Sequence, residues 1–157
     1  MRDALRNLVL KMLGCPYVWG GQNPWTGLDC SGFVVWVFQV FGLLPSGDWT
    51  AAGLRAHFAK DPEKPAGAVE LGDLVFYGTD WQHITHIMLG LGDGLVIGAS
   101  GGGHLTTTAE EARRIGAQVK VKPIRYRADL VSVLATGRRL TPPEPVDVKR
   151  RGRPWKI

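Results

Sequence analysis

The chain has 157 residues, of which 45% are hydrophobic and 21% charged, with a formal net charge of +5 and a pI near 9.5. That length and balance fit one globular domain with its own core and exclude a low-complexity or fibrous chain. The positive charge favours anionic partners, such as nucleic acid, a membrane surface or an acidic cell-wall polymer. Two cysteines, Cys15 and Cys30, make no disulfide framework and no Cys-x-x-Cys motif. Six tryptophans are many for this length and suggest large aromatic packing or sugar and peptide contacts.

At the N-terminus, Leu5, Leu8, Val9 and Met12 fall on one face of a helix predicted over residues 3–13. Arg6 and Lys11 interrupt the apolar run, so the segment reads as an amphipathic helix and not as a signal peptide. No apolar run approaches the roughly 20 residues of a membrane span. The expectation is a soluble chain without an export signal.

Residues 14–28 are rich in Gly, Pro, Asn and aromatic residues and read as a shaped loop. Residues 30–41 are apolar all round, which predicts a buried central helix. A shorter helix is expected from Thr50 to Phe58, with Thr50 as its N-cap. Pro62, Pro65 and Gly67 then break the chain. From Gly72 the period changes to two. DLVFYG, THIMLGLG and LVIGAS read as three strands, with Gly92-Asp93-Gly94 as the turn between the last two. GASGGGH is a loop, and residues 107–115 suggest a helix capped by Thr107 or Thr108. VKVKPIRYR and DLVSVLAT read as further strands. The order, helices first and then a mostly antiparallel sheet, is an α+β pattern. Residues 1–140 form the domain, and 141–157 form a basic, Pro-rich tail expected to be extended unless it docks.

Chemistry concentrates at Gly27-Leu28-Asp29-Cys30-Ser31-Gly32. The stretch places Cys30 at a helix start, where unpaired N–H groups and the helix dipole favour a thiolate. Asp29 and Ser31 are polar neighbours, and Gly32 keeps the backbone accessible. Cys15, in Gly-Cys-Pro-Tyr, reads as a small buried hydrophobe. A thiolate nucleophile needs a base that holds and later returns a proton. Among the four histidines, His57 sits in a short helix, His83 in a loop and His104 after three glycines. His86 opens a strand, which holds its ring rigidly, and it is the best base. His83 and His86 would point to opposite sides of a strand, so they make a poor metal pair, and the cysteines lack zinc-finger spacing. No metal or cofactor is expected. There is no phosphate-binding glycine loop and no nucleic-acid reader motif, so nucleic acid is not the expected partner.

GCPYVWGGQNPWTGLDCSGFVVWVF, LGDLVFYG and HITHIMLGLGDGLVIGAS together resemble the NlpC/P60 family of cysteine peptidases. Its Pro-Tyr-x-Trp-Gly-Gly loop, Asp-Cys-Ser-Gly helix start, Gly-Asp-Leu strand and His strand ending in Gly-Asp-Gly all occur in order. The resemblance implies a papain-like α+β fold, with Cys30 as nucleophile and His86 as base. It implies cleavage of peptidoglycan stem peptides, commonly between γ-D-Glu and a diamino acid. Tyr17 matches a tyrosine that helps bind the oxyanion or substrate; its alternative role is a core aromatic. Asp29 and Ser31 match positions that contact the free amine of the stem peptide's L-Ala; for Asp29 the alternative is a helix cap. Trp19 joins them as a substrate-binding residue.

One departure stands out. Many members carry a polar residue, usually His, twelve positions after the base, where it orients the imidazole. Here that position is Gly98. Ser100, which shares its strand parity, His104 folding back, or a backbone carbonyl or water could substitute, with Ser100 or a backbone group favoured. The glycine-rich LVIGASGGG also resembles phage-encoded members, which reach the wall with the virion or through a lysis pore. Two rivals remain: an N-acetylmuramoyl-L-alanine amidase, and a weakly active tail or wall-binding module. The basic KRRGRPWK run is a solvated tail or a contact to anionic wall polymer.

Overall fold

A computed structural model describes residues 1–141; the basic tail lies outside the described residues. Four helices and seven strands follow in the order α1 (Arg2–Lys11), β1 (Gln22–Asn23), β2 (Gly27–Leu28), α2 (Cys30–Val40), α3 (Ala51–His57), β3 (Leu74–Gly78), β4 (Ile84–Gly92), β5 (Leu95–Ser100), α4 (Ala109–Ile115), β6 (Gln118–Pro123) and β7 (Leu130–Leu134). The larger sheet is antiparallel throughout, in the order β6-β5-β4-β3-β7. This is the expected α+β architecture.

Local chemistry accounts for most element ends. Asp29, Thr50 and Thr108 cap α2, α3 and α4, each accepting a hydrogen bond from the backbone N–H three residues on. Gly116 ends α4 in the left-handed conformation. Asp93 and Gly94, both at positive φ, make the tight turn that joins β4 to β5. The α1 face closes as expected over Leu5, Val9 and Met12.

The two faces of the sheet are covered differently. Phe33, Val34, Val37 and Phe38 of α2 pack with Leu54, Phe58, Phe76, Ile87, Leu89 and Ile97 in the main core. On the opposite face Val75, Tyr77, Met88, Val96 and Val133 form a smaller cluster with Ala66, Val69 and Ile124. Strand period two divides these residues between the two faces. Full burial of a Phe or Leu side chain contributes about 1.5–3 kcal/mol, so the α2 face carries most of the hydrophobic stabilisation.

Asp73, fully buried at 0% exposure, ties the sheet to the C-terminal segment. It accepts hydrogen bonds from Lys64 Nζ at 2.8 Å, Glu70 N at 2.8 Å and Gly137 N at 3.1 Å. The Gly-Asp-Leu motif is therefore structural here: its acid is spent on holding β3 in place.

Several expectations need correction. The loop over 14–28 contains a small hairpin, β1-β2, and Pro16 bridges to Gln118 of β6. Neither pairing has a period-two signal in so short a run. The strand expected over 119–127 stops at Pro123, which lacks the N–H to continue a ladder. The α2 helix is not buried all round, because Val40 is exposed near its C-terminal end. No tryptophan among the described residues is fully buried: Trp19, Trp25 and Trp81 stand in solvent.

Candidate functional site

The Asp29 cap assembles the nucleophile's surroundings. One carboxylate oxygen accepts from Gly32 N at 2.7 Å and from Ser31 Oγ at 3.1 Å. The other accepts from Gly20 N at 3.0 Å and so draws the Trp19-Gly20 turn onto the helix start. Asp29 N donates to the Gly21 carbonyl, and Leu28 N donates to that of Pro16. The approach is so close that a Cβ on Gly32 would run into the Gly21 carbonyl. Glycine is required at Gly32 by contact, not by φ. The cap alternative for Asp29 thus holds, and the same residue also lines the cleft.

Cys30 opens on a cleft of about 370 Å³ lined by Trp19, Asp29, Ser31, Thr50, Ala51, Ala52, Ile84 and Thr85. An adjoining recess of about 220 Å³ runs between Trp19, Gln22, Asp29, Ser31, Asp48 and Trp49. Asp48 and Trp49 were not singled out from the sequence. Their only signal there is a Gly-Asp-Trp-Thr loop before a capped helix.

The backbone N–H groups of Ile87, Ser31 and Cys30 face the sulfur and draw the thiol's pKa down. Ile87 directly follows His86, so the nucleophile lies against the strand that carries the base. Cys30 and His86 both lie near Tyr126. Charge on Cys30 raises the Tyr126 pKa, and the Tyr126 ring centroid is 6.5 Å from that of His86. Thiol, imidazole and phenol therefore share one end of β4.

Burial overturns the thiolate expected from the helix terminus. Desolvation, with the Asp29 charge adding to it, pushes the Cys30 thiol up to about 11 against the pull of the three N–H groups. Desolvation, with Arg127 adding to it and Asp129 opposing, lowers His86 to about 4. At neutral pH the resting pair is thus thiol and neutral imidazole. The helix dipole contributes at most about 2 kcal/mol, less than the cost of burying an unpaired charge.

His86 is 7% exposed and pairs in register with Tyr77. Its ring lies 5.8 Å from the Tyr77 ring. Nε2 is buried and has no hydrogen-bond partner among the described residues.

Neither named substitute for the orienting group reaches it. Ser100 is buried, but its Oγ lies 3.5 Å from the Tyr126 hydroxyl and makes no bond to the imidazole. His104 packs edge-on against Trp19 at 6.3 Å, because the Gly101–Gly103 loop carries it toward the cleft rim. Gly98 itself is covered: a Cβ there would meet Met88 Sδ at 2.8 Å.

Tyr17 is buried at 3% exposure beside the thiol, and its pKa is raised by burial and then by the Cys30 and Asp29 charges. The flat Gly102 backbone packs on its ring, where a Cβ would collide. Cys15 is half-buried and donates to the Pro24 carbonyl at 3.0 Å. His83 pairs with Asp80 at 2.9 Å, and His57 packs between Trp49 and Phe58. Among the described residues no cluster of three metal-ligating side chains occurs, and no helix is long and apolar enough to cross a membrane.

A cysteine at a helix start, laid against an antiparallel sheet whose central strand presents a histidine, is the arrangement of papain-like α+β domains. The NlpC/P60 family pattern matches residues 14–122, well over half of the sequence, and the chain belongs to that family. It is 42% identical over 97 residues to the bifunctional muramidase/DL-endopeptidase CwlT of Bacillus subtilis, covering 60% of this chain and 28% of that protein. The chain spans about a quarter of the length of the first such relatives. The NlpC/p60 domain of the peptidoglycan hydrolase SagA superposes with a TM-score of 0.63 at 29% identity, over 86% of this chain and 98% of that one. RipD of Mycobacterium tuberculosis, described as a non-catalytic NlpC/p60 domain protein adapted to peptidoglycan binding, shares the fold. Its TM-score is 0.59 at 20% identity, over 85% and 95% of the two chains.

Proposed function

We propose that this domain is a cysteine endopeptidase that hydrolyses peptidoglycan stem peptides at a bond of the γ-D-Glu–diamino acid type. The observation that carries the proposal is the Cys30 thiol, open to a cleft and laid against the strand that bears His86. His86 takes the thiol proton as the sulfur attacks the amide carbonyl. The N–H groups at the start of α2 face the developing oxyanion, with the Tyr17 phenol beside them. The imidazolium then protonates the leaving amine, and water releases the acyl-enzyme. Asp29, Ser31 and Trp19 line the cleft where the stem peptide's amine end would bind.

The place of action is the bacterial wall. The glycine-rich stretch after β5 supports a phage-encoded origin, with delivery by the virion or through a lysis pore, and the basic tail would add contact to anionic wall polymer.

The test is mass analysis of defined muropeptides after incubation. A newly freed diamino-acid amine is expected; a freed L-Ala amine would instead show an N-acetylmuramoyl-L-alanine amidase. Cys30→Ala should abolish turnover, while Cys15→Ala keeps most of it. Equal loss in both variants would sink the assignment. A second reading, a wall-binding module with little turnover, is favoured by Gly98 and the unpartnered Nε2. Wall binding by a protein that releases no amine from defined muropeptides would establish it.

A further inference from the structure

The unpartnered Nε2 sits beside a polar pair that no motif singles out. The β4-β5 register pairs Leu89 with Ile97 and Gly90 with Val96. The Met88 contact at Gly98 carries that register one pair further, and extending it again would set Ser100 across from His86. Residues opposed in this way share a face of the sheet. Ser100 Oγ lies 3.5 Å from the Tyr126 hydroxyl, and the Tyr126 ring stands edge-on to His86. Tyr77 closes the same pocket, but its hydroxyl already donates to the Ile124 carbonyl at 2.8 Å. The Tyr126–Ser100 pair is therefore a hydroxyl pair beside the His86 ring whose phenol is not committed to a backbone carbonyl.

We propose that the Tyr126–Ser100 hydroxyl pair positions His86, doing from the β6–β7 connection and the end of β5 what a side chain at Gly98 cannot do. The proposal rests on His86 acting as the base. A hydroxyl that accepts a hydrogen bond from Nε2–H, after a small rotation of Tyr126 or through one water, holds the imidazole in the Nε2–H tautomer. Nδ1 is then left with a free lone pair to take the thiol proton. Ser100 donates or accepts as the phenol requires, so the two hydroxyls act as a unit. The groups around the ring are Tyr77 from β3, and Tyr126, Arg127 and Asp129 from the β6–β7 connection. Arg127 is held by Asp129 at 2.8 Å and lies over the Tyr77 ring at 5.6 Å, so its charge is largely matched.

Tyr126→Phe removes the hydroxyl and keeps the ring that packs on Tyr77 at 5.5 Å, so the fold is expected to hold. In the full chain, kcat on a defined muropeptide should fall between about tenfold and a hundredfold with KM unchanged. The acid limb of kcat/KM should move to lower pH, because an imidazolium that loses an acceptor is less stable. Ser100→Ala should act in the same direction, and the double variant should lose no more than the worse single one. Independently of turnover, 15N NMR of the His86 ring should show one Nε2–H tautomer in the unsubstituted chain and a mixture in Tyr126→Phe. Unchanged kcat and an unchanged tautomer in Tyr126→Phe would overturn the proposal, as would multiplied losses in the double variant. If the unsubstituted chain releases no amine from muropeptides, the endopeptidase reading fails, and the tautomer measurement still decides what holds His86.

Discussion

Around Cys30 nearly every polar group has a partner: Asp29 alone binds Gly20, Ser31 and Gly32, and the Gly21 carbonyl takes the Asp29 N–H. Around His86 the ring packs beside Tyr77 and Tyr126, which also touch each other, Nε2 has no partner among the described residues, and the family's orienting position is a glycine covered by Met88. The nucleophile is held by directional bonds and the base by packing. Hydrogen bonds fix orientation more closely than aromatic packing does, so the base end depends on the hydroxyl pair beside it. Mutations should therefore separate the two ends of the site.

The largest effect is expected from His86→Ala, which should cost turnover about as much as Cys30→Ala, several orders of magnitude. The double variant should lose no more than either single one, since the two residues act as one unit; multiplied losses in steady-state kinetics would argue against a shared step. Next comes Gly32→Ala at the nucleophile end. The new methyl meets backbone, which cannot swing away, and the expected loss is about 3 kcal/mol or more by urea denaturation. A midpoint like that of the unsubstituted chain would show that the Gly21 contact yields easily.

Acid sharpens the base end. His86 has its folded pKa lowered to about 4 against an ordinary value of 6.5. Between those values the unfolded chain binds more protons than the folded one. The contribution is fully present above pH 6.5 and is lost as pH falls toward 4, with a slope of up to about 1.4 kcal/mol per pH unit. His86→Ala should flatten that part of the stability curve, and an identical slope in both proteins would place the titration elsewhere. Cys30 has the opposite sign: its raised pKa means stability lost as pH rises from about 9 toward 11.

The smallest effects are a cap and a methyl. Asp29→Ala should cost about 1 kcal/mol as a lost N-cap, read as a lower Tm. Gly98→Ala should cost about 1 kcal/mol, because the thioether it meets is the flexible end of Met88 and can turn aside. If Gly98→Ala destabilises more than Asp29→Ala, packing at the base end is tighter than the contacts indicate.

The sequence alone determined the local structure. Leu5, Val9 and Met12 marked a buried helix face, Gly92-Asp93-Gly94 marked a hairpin, and Asp29 and Thr50 marked helix starts, with Thr107 or Thr108 marking a third, because caps, turns and periods act over a few residues. It also singled out Cys30 and His86 by type and placement. Tertiary structure decided the rest. Asp73 proved a structural acid only when Lys64 and Gly137 came to it across the chain. Ser100 could be matched to Gly98 by strand parity, yet only the β6–β7 connection brought Tyr126 to Ser100 and to the His86 ring. The protonation of the pair turned over for the same reason: desolvation depends on what covers a group, and the cover comes from residues far away in the chain.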